Sequence, residues 1–385
     1  MKIAFIYNEK KIGTGAHYIN DLIALKLRQR NIAVKNFYPK TALMDPPAHL
    51  KGLANIFFFF SLLEHKQEIL RYSIIQGTTY TPLPFLALSI PVVTHFGSTT
   101  GGFLKATPFA KEIEPATKSI WYSLRKSGVI KELNLKTRRP LRDIAEIEYY
   151  AAEKAAAVVA TSEKVKRELV AAGISLNKIE VIHNAIEDYW FGKPIIPSQD
   201  SPQIVFLGRL GHDVLSLKLK GVDRLIHFYK KFPNIKKTTV CMTGNKALKN
   251  WLKKELPNHT VFTNVKKDLI PNVLRPLAGG ILFVPSRYEG FSLSLVEGMS
   301  QGLIPIVYSV GVAPEIIRNG TNGFIVKNQN EAIRRAKEIM SNKIMRRRMS
   351  LAALATAQQF RSDVMISKLL DFYRRVLRDK RNTRP

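Results

Sequence analysis

The sequence predicts an α/β protein built from two doubly wound parallel sheets. Its 385 residues are enough for two domains at roughly 100–200 residues each. Short runs rich in Val, Ile and Phe alternate with helical stretches along the chain, a pattern that favours parallel sheets with crossover helices. A segment rich in Pro and Ser interrupts the alternation just before residue 203, which is typical of a linker.

In the first half, the period of apolar residues separates strands from helices. A first strand is followed by a glycine-containing turn and a helix at 16–30, and a second helix is expected at 143–155. The first half ends at residue 190. Strands are predicted at residues 2–7, 32–38, 73–76, 91–95, 157–161 and 179–182.

The second half repeats the alternation and ends in a helix at about 363–380. Strands are predicted at residues 203–207, 238–243, 260–264, 280–285, 304–308 and 323–326. The predicted division is a first domain over 1–190, a linker over 191–202, a second domain over 203–362, and a C-terminal helix with a basic tail over 363–385 that can pack back on the first domain.

Charge and composition restrict the function classes. The chain has 60 Lys and Arg against 30 Asp and Glu, a net charge of +30, which favours polyanionic partners: nucleic acid, an anionic membrane surface or phosphorylated substrates. The single cysteine, Cys241, excludes an intramolecular disulfide and a Cys-rich metal site, and no His, Asp and Cys spacing predicts a metal. The longest apolar stretches, 53–63 and 83–93, fall short of the about 20 residues of a membrane-spanning helix.

The four consecutive phenylalanines at 57–60 are predicted to be core, with a surface that dips into a membrane as the alternative.

One segment, residues 285–299, carries chemistry. A buried strand at 280–285 leads through a turn at Glu289 and Gly290 into a helix at 292–301. The free N–H groups and the dipole at the start of that helix attract a diphosphate, and Gly290 permits close approach of a ligand to the backbone. Two carboxylates, Glu289 and Glu297, are separated by seven residues.

This spacing resembles the E-x7-E signature of the retaining glycosyltransferases of family four. That family has the GT-B fold, in which two Rossmann-like domains face each other across a cleft. Further resemblance is found in Gly208-Arg209-Leu210 with Lys220-Gly221, and in the segment from Gly311 to Gly323. The resemblance covers nearly the whole chain and is strongest from residue 203 to residue 326.

The resemblance implies a role for each matching residue. Arg209 and Lys220 would hold the donor diphosphate. Glu297 would accept hydrogen bonds from the ribose, and Glu289 would contact hydroxyls of the transferred sugar. His95 would lie at a strand end of the first domain, facing the sugar. The other donor-binding residues implied are Gly13, Gly15, Val265, Gly290, Phe291, Ser292 and Leu293.

The sequence departs from the family between Arg209 and Lys220, which stand farther apart than is usual. The extra residues, 212–217, are expected to form a longer loop. Lys218 is an alternative to Lys220 as the diphosphate ligand, and Lys220 is preferred because Gly221 follows it.

The resemblance implies a retaining, metal-independent hexosyltransferase without a cofactor. Its donor would be a UDP- or GDP-sugar and its acceptor a glycan or a lipid-linked molecule in cell-surface glycan biosynthesis. We expect a cytoplasmic protein, peripheral on the inner face of the membrane, with no specific nucleic-acid partner. The alternatives are a sugar-nucleotide epimerase or a glycan phosphorylase on the same fold, or a nucleic-acid-binding protein.

A dinucleotide site at Gly13 and Gly15 is disfavoured, because Tyr18 occupies the position of the third glycine.

Overall fold

The structure is a computed structural model that describes residues 1–7, 15–39, 58–197, 202–211 and 213–382. The chain divides into two compact units. The first unit comprises Met1–Leu104, Thr137–Glu187 and Phe360–Pro385, and the second comprises Lys105–Lys136 and Asp188–Gln359. Each unit is built around one sheet in which all strand pairs are parallel.

The strands of the first sheet lie in the order β2-β1-β3-β4-β5-β6, so the order reverses between β1 and β3. Their bounds are β1 Lys2–Ile6, β2 Ala33–Phe37, β3 Ile74–Thr78, β4 Val92–Phe96, β5 Ala157–Ala160 and β6 Ile179–Val181. All five residues of β4 are buried, as expected of an inner parallel strand with helices on both faces.

The second sheet has the order β12-β11-β10-β7-β8-β9, and its reversal lies between β10 and β7. Its strands are β7 Ile204–Arg209, β8 Lys237–Met242, β9 His259–Thr263, β10 Ile281–Val284, β11 Ile304–Tyr308 and β12 Phe324–Val326. Ligands bind open α/β sheets at the carboxyl ends of the strands next to such a reversal.

The α-helices connect these strands and cover both sheets. In chain order they are α1 Gly15–Gln29, α2 Lys66–Ile69, α3 Thr100–Ala106, α4 Pro115–Lys126, α5 Arg138–Lys154, α6 Glu163–Ala171, α7 Val214–Leu219, α8 Val222–Lys230, α9 Lys246–Glu255, α10 Ile270–Leu274, α11 Leu293–Ser300, α12 Ala313–Ile316, α13 Gln329–Ser341, α14 Lys343–Ala357 and α15 Ser362–Asn382. Shorter 3-10 helices include Phe58–His65, Asp188–Phe191 and Lys267–Leu269.

The C-terminal helix α15 belongs to the first unit. Its Tyr373 hydroxyl donates a hydrogen bond to the Gln76 side chain in β3, and both groups are buried. At the surface, Arg375 pairs with Glu180 at 2.9 Å. The last helix therefore folds with the first sheet, although the chain has already passed through the whole second sheet.

The sequence-based boundary, which placed all of 1–190 in the first domain, is wrong for residues 105–136. They group with the second unit, where α4 packs against α8. Thr117 Oγ1 donates to Asp223 Oδ2 at 2.9 Å, and Trp251 Nε1 donates to Ser123 Oγ at 3.0 Å. These side-chain contacts join parts of the chain more than 100 residues apart, which no local pattern reveals.

The predicted fold class, two Rossmann-like α/β halves with a C-terminal helix, is confirmed, and each predicted strand overlaps an observed one. The prediction of a loop at 212–217 is wrong, because residues 214–219 form helix α7. Asp213 caps this helix by accepting a hydrogen bond from the Ser216 N–H at 2.8 Å, which satisfies an otherwise free donor. His212 lies outside the described residues.

The phenylalanine run at 57–60 is only partly core. The Phe59 side chain is 1% exposed and packs in the cluster beneath β1 and β3, whereas Phe60 is 45% exposed. Phe57 lies outside the described residues. Neighbours on a tight 3-10 helix point about 120° apart, so a continuous apolar run cannot place every ring on the buried side.

Candidate functional site

The candidate site lies at the reversal of strand order in the second sheet. Arg209 ends β7, and residues 285–292 follow β10, its neighbour in the sheet. Because parallel strands end at the same edge, these two segments converge there. Two residues predicted from the sequence, the diphosphate ligand Arg209 and the carboxylate Glu289, lie on these two segments.

Lys220 and Glu289 are brought together. Lys220 Nζ donates a hydrogen bond to Glu289 Oε1 at 2.7 Å, and Ser286 Oγ donates to the same oxygen at 2.7 Å. The Glu289 side chain is 12% exposed, so the pair is largely shielded from water. The structure therefore joins a predicted diphosphate ligand to a predicted sugar ligand.

The turn that carries Lys220 fits closely against the turn after β10. Gly221 has φ +65°, and a Cβ there would lie 2.2 Å from the Pro285 carbonyl oxygen. The Arg287 N–H donates to the Leu219 carbonyl at 2.7 Å. Only glycine fits this approach, which explains the Lys-Gly pair in the sequence.

A buried ion pair, absent from the sequence-based site, fastens the same two turns. Arg287 donates two hydrogen bonds to Asp223, each 2.7 Å long, and a third to the Lys218 carbonyl. Burial alone would raise the pKa of the Asp223 carboxyl, but Arg287 and Thr117 hold it below its usual value. The one hint of this ion pair in the sequence was the position of Asp223, three residues after Lys220.

Lys218, the alternative diphosphate ligand, is completely buried. Its ammonium donates to the Pro108 carbonyl at 2.6 Å and lies 5.9 Å from the centre of the Trp121 ring. This side chain therefore joins residues 105–136 to helix α7. Of the two lysines, Lys220 is the one that reaches Glu289.

The backbone at 290–293 turns sharply into α11. The Val312 N–H donates to the Phe291 carbonyl at 2.9 Å, and Gly311, at φ +53°, allows that approach. Ser292 has the left-handed values φ 85° and ψ 72°, unusual for a residue with a side chain. Its buried Oγ has no hydrogen-bond partner among the described residues. Strain together with an unsatisfied buried hydroxyl is typical of a binding site.

The second carboxylate, Glu297, lies inside α11 with its side chain 9% exposed. Lys267, in the 3-10 helix that follows β9, places its Nζ 3.6 Å from Glu297 Oε1. Val265 lies two residues earlier and is half-buried. The sequence-based site did not include Lys267, because no local motif connects it to Glu297.

Arg209 is exposed at the end of β7. Within the described ranges, its guanidinium has no hydrogen-bond or ion-pair partner. An exposed guanidinium beside a turn with free N–H groups is suited to binding a phosphate in a two-point contact.

The first unit contributes His95, in β4, which is 6% exposed. Burial lowers the pKa of His95 to about 4, while the side chain of Asn184 opposes the shift, so the imidazole is neutral near pH 7. Of the glycines, Gly15 begins α1, and Gly13 lies outside the described residues.

A second buried titratable group in this unit is Glu148 in α5. It accepts hydrogen bonds from the N–H and the hydroxyl of Thr100, the first residue of α3, both at 2.8 Å. Burial raises the pKa of Glu148 to about 7, and the two hydrogen bonds from Thr100 oppose the shift.

The described part of the chain contains no group of three His, Cys, Asp or Glu side chains arranged to hold a metal ion. None of its helices combines the length and the apolar character needed to cross a bilayer.

Comparison with known proteins gives two family matches, which meet near residue 190. The family described as "Glycosyltransferase Family 4" matches residues 25–188, and "Glycosyl transferases group 1" matches residues 191–355. Together they span most of the chain. A curated relative, "Uncharacterized 41.2 kDa protein in cps region" of Klebsiella pneumoniae, is 28% identical over 190 residues, which is 47% of this chain and 50% of that protein. The chain thus spans about half the length of the curated relatives it matches first.

Solved structures resemble this chain over nearly its full length. Sucrose-phosphate synthase from Thermosynechococcus elongatus superposes with a TM-score of 0.73 at 15% identity, covering 98% of this chain and 99% of the other. HepE of Anabaena, solved in complex with UDP-glucose, gives 0.64 at 17% identity, with 97% and 99% covered. At such identities the likeness shows the fold alone.

Proposed function

The chain belongs to the family-four, group 1 glycosyltransferases of the GT-B fold, and on that premise we propose that it transfers a sugar from a nucleotide donor held at the second sheet. The observation that carries the proposal is the Lys220–Glu289 pair beside the strained turn at Ser292. It places a cation, a carboxylate and a helix start at the edge of the sheet where ligands bind.

The proposed reaction breaks the bond between the anomeric carbon and a phosphate oxygen of the donor. Negative charge develops on that oxygen, and Arg209, Lys220 and the N-terminus of α11 would stabilise it. Removing one such preorganised group typically costs about 3–4 kcal/mol of barrier. The leaving phosphate would take the proton of the acceptor hydroxyl as that hydroxyl attacks the same face of the sugar, so the configuration is retained.

When the donor binds, Lys220 and Glu289 would each have to bind a part of it as well as each other. Glu289 would accept hydrogen bonds from sugar hydroxyls while the Lys220 ammonium turns to the diphosphate, and Glu297 would accept from the ribose. Lys220 has three N–H donors and Glu289 has two acceptor oxygens. Each side chain can therefore form hydrogen bonds to the donor when the other turns away. Their ion pair keeps both groups in place without leaving a largely buried charge unpaired.

For the donor we propose a UDP- or GDP-hexose, and for the acceptor a glycan or a lipid-linked molecule of cell-surface glycan biosynthesis. One structural neighbour and one curated relative support this choice: HepE was solved with UDP-glucose, and the Klebsiella pneumoniae relative is described as lying in a cps region.

A thermal-shift panel of UDP-, GDP-, ADP- and CMP-sugars tests the donor proposal. Sugar nucleotides of one base should stabilise the protein, by about 2.7 kcal/mol at 100 times Kd. A Glu297→Gln variant should lose most of that shift. Failure of every sugar nucleotide to stabilise the wild-type protein would reject a nucleotide-sugar site.

Stereochemistry and metal dependence test the mechanism. Transfer should continue in excess chelator, and NMR of the product should show the anomer of the donor. An inverted product would contradict retention. An acceptor-free epimerised product would instead identify an epimerase, and phosphate-dependent release of a sugar phosphate would identify a phosphorylase.

We also propose peripheral binding to the inner, cytoplasmic face of a membrane. Support comes from the net charge of +30 and from the exposed side chains Phe60, Leu63 and Leu70, which are close in sequence to Lys66 and Arg71. Each Lys or Arg near an anionic surface contributes roughly 1 kcal/mol.

Sedimentation with vesicles tests the membrane proposal. The protein should pellet with vesicles containing anionic phospholipid, stay in solution with neutral ones, and be released when added salt shortens the Debye length to a few ångströms. A Phe60→Ser, Leu63→Ser double variant should bind more weakly than a Leu176→Ser control at another exposed position. Equal binding to neutral vesicles, or preference for RNA or DNA, would contradict the proposal.

A further inference from the structure

The ribose-binding carboxylate proposed above has a cationic partner that the sequence did not assign to the site. Lys267 Nζ lies 3.6 Å from Glu297 Oε1, and the two side chains are 18% and 9% exposed. We propose that Lys267 binds the nucleoside part of the nucleotide donor together with Glu297. This inference rests on the proposed function of the same site.

The loop that presents Lys267 is fixed by Asn264. The Asn264 side chain accepts a hydrogen bond from the Thr243 N–H at 2.9 Å and donates one to the Thr243 carbonyl at 2.8 Å. Asn264 itself has φ 55°, which turns the chain at the end of β9. Lys267 therefore starts from an anchored backbone position, and its side chain crosses to the helix that follows β10.

The position of Glu297 within α11 assigns Lys267 to the nucleoside and not to the diphosphate. Glu297 is four residues beyond Leu293, the first residue of the helix, which is about 6 Å along the axis. The diphosphate is expected at the start of the helix, where the N–H groups are free and Lys220 and Arg209 lie. Lys267 approaches one turn deeper, at the carboxylate expected to bind ribose.

The chemistry of the pair suits a ribose and the adjoining edge of a base. Lys267 supplies a counter-ion 3.6 Å from Glu297, whose two carboxylate oxygens can accept hydrogen bonds from both ribose hydroxyls. The ammonium has three donors, so those not used by Glu297 can bind a ribose oxygen or a carbonyl oxygen of the base. Both groups would then have hydrogen-bond partners on the donor.

The neighbouring lysine supplies a matched control. Lys266 is exposed and, in the part of the chain that the structure describes, forms no ion pair with Glu297. Lys267→Met and Lys266→Met remove the same charge from adjacent positions. A difference between them therefore reports the contact and not the overall charge.

Calorimetry with UDP, GDP and inorganic pyrophosphate tests the inference. Lys267→Met should weaken binding of the preferred nucleoside diphosphate by about 10-fold or more, because a hydrogen bond to a charged group is lost. Its affinity for pyrophosphate should match wild type within about twofold. Lys266→Met should match wild type for every ligand, and Lys267→Arg, which keeps the charge, should recover part of the lost affinity.

A double variant separates a ligand contact from a structural ion pair. In a Glu297→Gln background, Lys267→Met should cost much less than in the wild-type protein, because the two groups act on the same part of the ligand. Equal losses for nucleotide and pyrophosphate, or equal effects of Lys266→Met and Lys267→Met, would overturn the inference while leaving the proposed function intact. No nucleoside diphosphate binding by the wild-type protein would overturn both.

Discussion

At the scale of single residues, several buried cations are bonded to backbone carbonyls. Lys237, 1% exposed, donates to the carbonyls of Pro233, Ile235 and Pro257, and burial lowers its pKa. Arg346 is 3% exposed and donates to the Met340 carbonyl. A chain with 60 cationic and 30 anionic side chains cannot pair every cation with a carboxylate.

The two lysines near Gly221 should respond differently to truncation. Lys220→Ala should lower turnover by about 100-fold or more while the protein stays folded, because its ammonium acts on the leaving diphosphate. Lys218→Ala should chiefly destabilise the fold, because it leaves a cavity and an unpaired Pro108 carbonyl. Steady-state kinetics and denaturant unfolding of both variants check this. Full activity in Lys220→Ala would show that another residue holds the diphosphate.

His95 should make stability depend on pH. The unfolded imidazole binds a proton near pH 6.5 and the folded one near pH 4, so the unfolded state binds more protons between these values. Stability should therefore fall on acidification, by about 2–3 kcal/mol from pH 7 to pH 4.5. In His95→Asn this contribution is absent, so its unfolding free energy should approach that of wild type at pH 4.5. A constant difference between the two proteins would contradict the lowered pKa.

Sequence patterns located the residues of the candidate site but not the contacts that hold them. Glu289 and Glu297 were found because their spacing lies within one local segment. The Asp223–Arg287 bridge and the Lys267–Glu297 pair join residues 64 and 30 positions apart. Such pairs depend on how the loops after different strands meet, and only the folded chain shows that.

At the scale of elements, the strands were predictable because inner parallel strands are continuous apolar runs. β4 and β10 are buried throughout, and both were found within one or two residues of their ends. Helix α7 was missed because it is only six residues long and has no full amphipathic repeat. Its cap at Asp213 was the one local signal.

The start of α11 should be more stable with glycine. Ser292→Gly removes a left-handed non-glycine residue, which costs roughly 1–2 kcal/mol, and a buried hydroxyl without a partner. Glycine also increases the conformational entropy of the unfolded chain, which opposes these gains. We therefore expect the free energy of unfolding to rise by about 1 kcal/mol. Thermal unfolding measures it. The control Ser294→Gly, inside the helix, should lose about 0.5 kcal/mol. A loss in both variants would show that Ser292 is not strained.

At the scale of the whole molecule, each unit is assembled from distant parts of the chain. Residues 105–136 and Asp188–Gln359 form the second unit, while Phe360–Pro385 returns to the first. The sequence-based boundary treated residues 1–190 as one domain, because a linker rich in Pro and Ser is visible in a sequence. Buried contacts such as Thr117 with Asp223 are not visible there.

The net charge of +30 should make stability depend on salt. Like charges repel within the compact state, and salt reduces the Debye length from about 30 Å at 0.01 M to about 8 Å at 0.15 M. The melting temperature should therefore rise as sodium chloride is added over this range. A melting temperature that falls with salt would mean that attractive ion pairs outweigh the repulsion.

A crystal structure with the preferred nucleoside diphosphate tests the central claim most directly. The account predicts the diphosphate at the start of α11, within hydrogen-bond distance of Arg209 and Lys220, and the ribose hydroxyls on Glu297. It further predicts that the distance between Lys220 Nζ and Glu289 Oε1 in that complex is longer than 2.7 Å. A nucleotide bound instead at the carboxyl ends of β1 and β3 in the first unit would contradict the account.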